Sequence, residues 1–208
     1  MDKENSLLKI DGKIQEKTPG NILNMVFSAD SRRFAYTLKE KDKYYIVVDG
    51  VKSKGYVALR PLIISGDSSN YAFVAKKGKK YVCVINGKEG PAYDEIGAFI
   101  FGGDSSRHAY LAQDGEAWKV VVDGRPGASY KLVAYPAFSP DSSHIAYIAT
   151  KEVNGKTTSI LVVDNQEGKM TFAGFMLNGY IVFDTPSSFH TIFSEPDNKI
   201  MRVDVEIK

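Results

Sequence analysis

The sequence predicts an all-β chain assembled from copies of one four-stranded unit, and three observations carry that prediction. Four segments of one type, FSADSRRFAY, ISGDSSNYAF, FGGDSSRHAY and FSPDSSHIAY, recur at a constant spacing. A second shared stretch follows each of them: YYIVVDG, YVCVING, WKVVVDG and SILVVDN. No segment holds the i, i+3, i+4, i+7 apolar stripe of an amphipathic helix over three turns.

The first stretch places its aspartates at Asp30, Asp67, Asp104 and Asp141, each 37 residues after the last. Ala35, Ala72, Ala109 and Ala146 keep the same period, as do the rings that follow them, Tyr36, Phe73, Tyr110 and Tyr147. In the second stretch Asp49, Asn86 and Asp123 are again 37 apart, and a four-residue insertion displaces Asp164. Tyr56, Tyr93 and Tyr130 close the unit at that period.

Within one unit, Met25 to Phe27 is a short apolar run that ends at the Asp30–Ser31 turn signal. Phe34 to Leu38 reads as a second strand, KEKDK as a loop, and Tyr44 to Val48 as a β-branched and aromatic third strand. Asp49-Gly50 is a strong hairpin signal, because both residues tolerate positive φ. A fourth strand near Tyr56 completes the unit. The alanines mark where one small sheet approaches the next closely, and the adjacent rings fill the gap.

A fifth, degraded copy follows. IVFDTPSSFHTIF aligns with PAFSPDSSHIAYI, which puts Phe183 under Phe138 and Pro186 where the aspartate belongs. Four antiparallel strands per repeat, repeated radially, make the blade of a β-propeller, whose small sheets are buried by stacking on their neighbours. The expected architecture is therefore a single domain, 1–208, forming a five-bladed β-propeller of four-stranded antiparallel blades. Its repeats fall at about 24–59, 60–96, 97–133, 134–175 and 176–208. The fifth copy lacks a convincing outer strand after Ile207, and an open ring would leave a bare edge. LLKIDGKIQEK, within an N-terminal segment of about 6–23, resembles the third-to-fourth strand region and is expected to close the last blade.

The units FSPDSSHIAYIA and WKVVVDG resemble the TolB-type, WD-like propeller repeats common in bacteria, and the resemblance covers nearly the whole chain. Departures are local: Gly66 and Gly103 replace the proline before the aspartate, the fifth copy loses the aspartate, and the tryptophan–aspartate dipeptide of WD repeats is absent. The resemblance implies a non-catalytic propeller that docks partners, and it carries no catalytic residue over.

Composition is that of an ordinary globular chain, with 43% apolar and 25% charged residues among 208. A net charge of +2 gives no clustered basic excess, so nucleic acid is not an expected partner. Cys83 is the only cysteine, which rules out an intrachain disulfide and a cysteine-based zinc site. No apolar run reaches the length of a signal peptide or a membrane span. As written the chain reads as cytoplasmic; with a leader removed it would read as periplasmic or extracellular.

Residues that look chemical have structural alternatives. The four turn aspartates resemble a ring of cation ligands, but aspartate and serine in a tight turn cap their own backbone N–H groups. Equivalent turns of adjacent blades are also expected to lie far apart. His108, His144 and His190 fall near the start of second strands, but His144 is one step out of phase, which turns its side chain to the other face. No metal site is expected. No G-x-S-x-G elbow is present, and Cys83 in YVCVING reads as a buried thiol. KKGKK (Lys76, Lys77, Lys79, Lys80) forms a basic loop, read as a solvated hairpin tip among acidic neighbours.

The connections between blades vary, and loops on a rigid scaffold are where binding residues concentrate. Arg60, Asp94, Glu95, Tyr135, Phe175 and Met176 lie in them and are the candidate partner-binding residues. The expected function is a non-catalytic, monomeric platform for a protein or peptide, without cofactor. The alternative is a small-ligand-binding or hydrolytic propeller with its site at the channel mouth.

Overall fold

The computed structural model describes residues 6–10, 12–18, 20–173, 180–194 and 199–208, and each regular element among them is a β-strand. By its internal contacts the chain divides into two units, Met1–Tyr93 and Asp94–Lys208.

In the first unit, β1 (Ser6–Ile10) and β2 (Lys13–Thr18) pair as a two-stranded hairpin. β3 (Asn21–Phe27), β4 (Phe34–Glu40), β5 (Lys43–Val48) and β6 (Val51–Lys52) then pair in chain order as an antiparallel four-stranded sheet. The second sheet contains β7 (Ala58–Leu59), β8 (Ile63–Ile64), β9 (Tyr71–Lys77), β10 (Lys80–Ile85) and β11 (Lys88–Tyr93). Both β7 and β8 pair with β9, so they are halves of one first strand, interrupted at Pro61, which has no N–H to give a ladder.

In the second unit the third sheet runs β12 (Glu95–Phe101), β13 (His108–Asp114), β14 (Ala117–Val122) and β15 (Arg125–Pro126). The fourth runs β16 (Leu132–Phe138), β17 (Ile145–Val153), β18 (Lys156–Val163) and β19 (Gln166–Phe172). The last has three strands among the described residues: β20 (Val182–Thr185), β21 (Ser188–Ser194) and β22 (Ile200–Glu206).

The local chemistry follows the repeat. Asp49 and Gly50 adopt φ of 49° and 79°, Asn86 and Gly87 48° and 78°, and Asp123 and Gly124 49° and 77°. These are the positive values a two-residue hairpin needs. At the fourth hairpin Asn165 takes the glycine's place at φ 64°. Each first turn residue also accepts the N–H that opens the second strand: Asp49 from Phe34, Asn86 from Tyr71, Asp123 from His108 and Asp164 from Ile145, at 2.9–3.1 Å.

Both faces of a sheet are packed in the way the alternation demands. Ala35 of β4 lies in one cluster with Ile46, Val48 and Tyr56 and with Phe73, Ala75, Val82 and Val84 of the second sheet. Tyr36 and Leu38 point the other way and cluster with Val47 and Leu8. The four repeat alanines are fully buried, and the rings that follow them are at most 2% exposed. Each such ring contributes about 1.5–3 kcal/mol by leaving water.

Two expectations are corrected, and the fifth copy takes a turn of its own. The N-terminal segment expected to close the last blade pairs with itself as β1–β2, and Leu8 buries its side chain against the first sheet, where Tyr36, Leu38 and Val47 offer an apolar face. The fifth copy does not keep the long aspartate turn: Thr185 pairs with Ser188 across Pro186 and Ser187, a tight two-residue connection. The third and fourth turns are not far apart either. The N–H of Asp104 donates to Ser142 Oγ at 3.1 Å, and a Cβ on Gly103 would lie 2.7 Å from the Pro140 carbonyl oxygen. Glycine stands at this position because the neighbouring backbone occupies the space.

Candidate functional site

The repeat motifs spend their polar groups on themselves. Ser139 Oγ donates to Asp141 Oδ1 at 2.7 Å, the Ser143 N–H donates to the same oxygen at 3.1 Å, and the His144 N–H donates back to Ser139 Oγ at 3.0 Å. The hydroxyls of Ser139 and Ser143 hold the Asp141 carboxyl down at about 2. The same turn recurs at Asp30, lowered by Ser28, and at Asp104, lowered by Ser106. These carboxylates are turn caps.

Charged side chains also join neighbouring sheets. Arg33 donates from Nε to Asp49 at 2.8 Å and from a terminal nitrogen to the carbonyls of Ser68 and Ser69 in the second sheet, both at 3.0 Å. Arg107 repeats the arrangement with Asp123 and the Ser142 and Ser143 carbonyls of the fourth sheet. The closing Tyr56 packs edge-on against Phe73 and donates its hydroxyl to Glu89 at 3.0 Å. Burial first, then Glu89, raises the Tyr56 phenol, while Lys77 chiefly lowers the Glu89 carboxyl. Tyr130 packs on Tyr147 in the same way, and burial followed by the charge of Glu167 pushes its phenol up to about 12.

Each histidine meets a carboxylate of its own sheet: His108 lies 3.7 Å from Asp123, His144 Nδ1 2.6 Å from Asp164, and His190 Nδ1 2.8 Å from Asp184. Among the described residues no group of three or more His, Cys, Asp or Glu side chains is placed to hold a metal. Burial pushes the Cys83 thiol up to about 12.

The predicted site residues are not gathered into one described cluster. Arg60, in the first unit, lays its guanidinium 5.1 Å from the centre of the Tyr81 ring. Asp94 accepts the Gly115 N–H at 2.9 Å, and Glu95 accepts the N–H of Ile96 at 2.9 Å, so both carboxylates hold local backbone. Tyr135 sits at φ 53° in the β16 irregularity and meets Tyr180 edge-on at 5.7 Å. Phe175 and Met176 lie outside the described residues.

A different feature stands out in the second unit. A cleft of about 550 Å³ runs between the outer strands of the fourth sheet and the edge of the last one. Its floor is apolar, formed by Leu161, Met170, Phe172, Val203 and Val205, and its rim carries His144, Asp164, Glu167, Lys169, Asp204 and Glu206. Phe172 stacks flat on Phe193 at 3.7 Å, which ties the two sheets together. The sequence signal for this cleft is the alternation of Val203 and Val205 with Asp204 and Glu206 along β22.

Solved structures share this fold. The β-propeller domain of the Trilobed protease from Pyrococcus furiosus, described as having an open velcro topology, aligns over 90% of this chain and 68% of its own, with TM-score 0.56 and 12% identity. A eukaryotic initiation factor aligns over 90% of this chain and 53% of its own, with TM-score 0.53 and 13% identity. TolB from Acinetobacter baumannii aligns over 94% and 57%, with TM-score 0.48 and 12% identity. Identities this low show the fold alone, and the fold is that of a β-propeller. No protein-family model and no curated protein matches the sequence.

Proposed function

We propose that the chain is a non-catalytic β-propeller module that binds a protein or peptide, with one blade per repeat copy and five blades in all. The observation that carries this reading is the cleft beside β22: apolar along its floor, charged along its rim and open to solvent. Enclosed, mostly apolar sites with few polar groups suit small molecules, whereas a long groove against a sheet edge suits a chain segment. The variable connections are further candidate surfaces, Arg60 on the first unit and Asp94, Glu95 and Tyr135 on the second, because loops on a rigid scaffold carry binding residues.

The test is selection of a displayed random peptide library on the folded protein. Peptides that survive competition are then measured on Asp204→Lys and on the Arg60→Ala/Tyr135→Ala double variant. Enriched sequences that lose affinity on at least one of these are the expected result. No enrichment above an unrelated propeller used as control would defeat the reading.

A further inference from the structure

We infer that the gap between the third and fourth sheets is a carboxylate-binding site, with Arg107, Arg125 and Asn165 holding the acidic group of a ligand. This site is separate from the cleft beside β22, and its test is read on different residues.

The repeats locate it by comparison. The first and third blades each carry an arginine tied to the next sheet, Arg33 or Arg107, and each has glycine after its turn aspartate. The residue after that glycine is Val51 in the first blade and Arg125 in the third. In the sheet that receives the tie, the hairpin residues are Asn86 and Gly87 in one case and Asp164 and Asn165 in the other. The arginine tie is common to both joints, whereas the second guanidinium and the side-chain amide belong to one.

Register aims Arg125 across the gap. It stands directly opposite Val122 of β14, and residues opposite each other in an antiparallel pair share a face. Val122 packs in one cluster with Ile145 and Val162 of the fourth sheet, so this is the face turned toward that sheet. There Arg107 and Arg125 line a recess of about 540 Å³ with Asp123, Asp164 and Asn165, over the apolar side chains of Val122 and Ile145.

The acceptors of the recess are already engaged. Asp123 accepts Arg107 Nε on one oxygen and the His108 N–H on the other. Asp164 meets His144 Nδ1 with one oxygen and accepts the Ile145 N–H on the other. The Asn165 oxygen accepts the Tyr147 hydroxyl at 3.2 Å. The donors are not all engaged. Arg107 uses Nε and one terminal nitrogen, which leaves Nη2. Among the described residues neither Arg125 nor the Asn165 amide nitrogen has an acceptor.

A recess with engaged acceptors and unengaged N–H donors suits an oxyanion, and a guanidinium matches carboxylate and phosphate alike. Charge chooses between them. Arg107 and Arg125 balance Asp123 and Asp164, so a carboxylate leaves one uncompensated negative charge where a doubly ionised phosphate leaves two. The carboxylate is the better match.

Acetate and the peptide acetyl-Gly-Glu-Gly-amide are titrated separately, by NMR at constant ionic strength, into the labelled full chain. Saturable shifts at the amides of Arg125 and Asn165 are expected. Saturation by both probes identifies a free acid as sufficient, and saturation by the peptide alone identifies an acidic side chain of a chain. Arg125→Val, which installs the first blade's residue, is expected to weaken binding at least about tenfold. Asn165→Asp keeps the acceptor for Tyr147 but exchanges the amide donor for a negative charge, and it is expected to weaken binding as much. Both variants are checked for folding by circular dichroism. Saturation by neither probe, or either folded variant binding as well as the wild type, overturns the inference. So do shifts as large at Lys79 and Lys80 as at Arg125, which mark non-specific attraction, and tighter binding of inorganic phosphate than of acetate. None of these results bears on the peptide selection with Asp204→Lys, so the two readings fail separately.

Discussion

Replacing Arg107 by alanine removes the tie between the third and fourth blades, and its cost can be worked contact by contact. Nε donates to Asp123 at 2.9 Å, and a terminal nitrogen donates to the carbonyls of Ser142 and Ser143 at 2.9 and 3.0 Å. The guanidinium carbon lies 5.2 Å from the centre of the Phe138 ring. The side chain is 30% exposed, so the ion pair is screened and contributes about 0.5 kcal/mol. The two bonds to backbone carbonyls contribute about 1 kcal/mol each, and the ring contact about 0.5 kcal/mol. The expected loss is about 3 kcal/mol, which lowers Tm by roughly 6–12 °C for a chain of this size. Urea and thermal unfolding followed by circular dichroism measure it, with an unchanged m value. Arg107→Lys keeps the charge but not the planar fork and is expected to recover less than half of the loss. A change under about 0.5 kcal/mol for Arg107→Ala, or a lysine variant as stable as the wild type, refutes the reasoning. Arg33→Ala breaks the same three contacts in the first unit and is expected to cost as much.

Three further outcomes follow from the turns and the core. The folded carboxyls of Asp30, Asp104 and Asp141 lie below their ordinary value, Asp141 at about 2. A group that gives up its proton more readily when folded stabilises the fold above its unfolded value, and that stability is lost as pH falls through the folded one. Stability should therefore hold above about pH 4 and decline toward about pH 2; a triple Asp→Asn variant that declines as steeply as the wild type contradicts this. Gly102→Ala puts a Cβ 2.5 Å from Ser142 Oγ, whereas Gly103→Ala puts one 2.7 Å from the Pro140 carbonyl oxygen. Both should destabilise by about 1–3 kcal/mol, and Ser142→Gly should rescue the first but not the second in urea titrations. Cys83, 1% exposed with its thiol pushed up to about 12, should resist a disulfide reagent at pH 8 until urea unfolds the chain; labelling of the native protein at the unfolded rate is the contrary result.

Much of the blade was legible in the sequence because its determinants are local. A positive φ at Asp49-Gly50, a cap at Asp141 and a small buried residue at Ala146 each follow from a few neighbouring residues, and a 37-residue period multiplies every such signal. The contacts between blades were less legible. Nothing near Arg107 in sequence announces the Ser142 carbonyl, 35 positions away, and Gly103 reads as a local departure from the motif until the neighbouring turn explains it. The cleft beside β22 was not legible, because Leu161 and Phe172 meet Val203 and Val205 only through the fold. The N-terminal segment has the pattern of an outer strand, and nothing in its own residues says which sheet it joins. Which strand pairs with which depends on competing apolar faces, and Leu8 finds one at Tyr36, Leu38 and Val47.

The last sheet differs from the other four in the face its third strand leaves exposed. A blade flanked on both sides needs a third strand apolar on both faces, and Ile46 to Val48, Val82 to Val84, Val120 to Val122 and Ile160 to Val162 are buried throughout. β22 instead alternates Arg202, Val203, Asp204 and Val205, with the valines turned toward the fourth blade and the charges exposed. Ile192 and Ile200 share the exposed face but lie against charged neighbours, since Ile192 pairs with Arg202. A further repeat copy joined against the charged face would bury Arg202 and Asp204 with no solvent to compensate them. Changing both to valine would instead present an apolar strand face to solvent, and light scattering at rising concentration is expected to show association that the unchanged chain lacks.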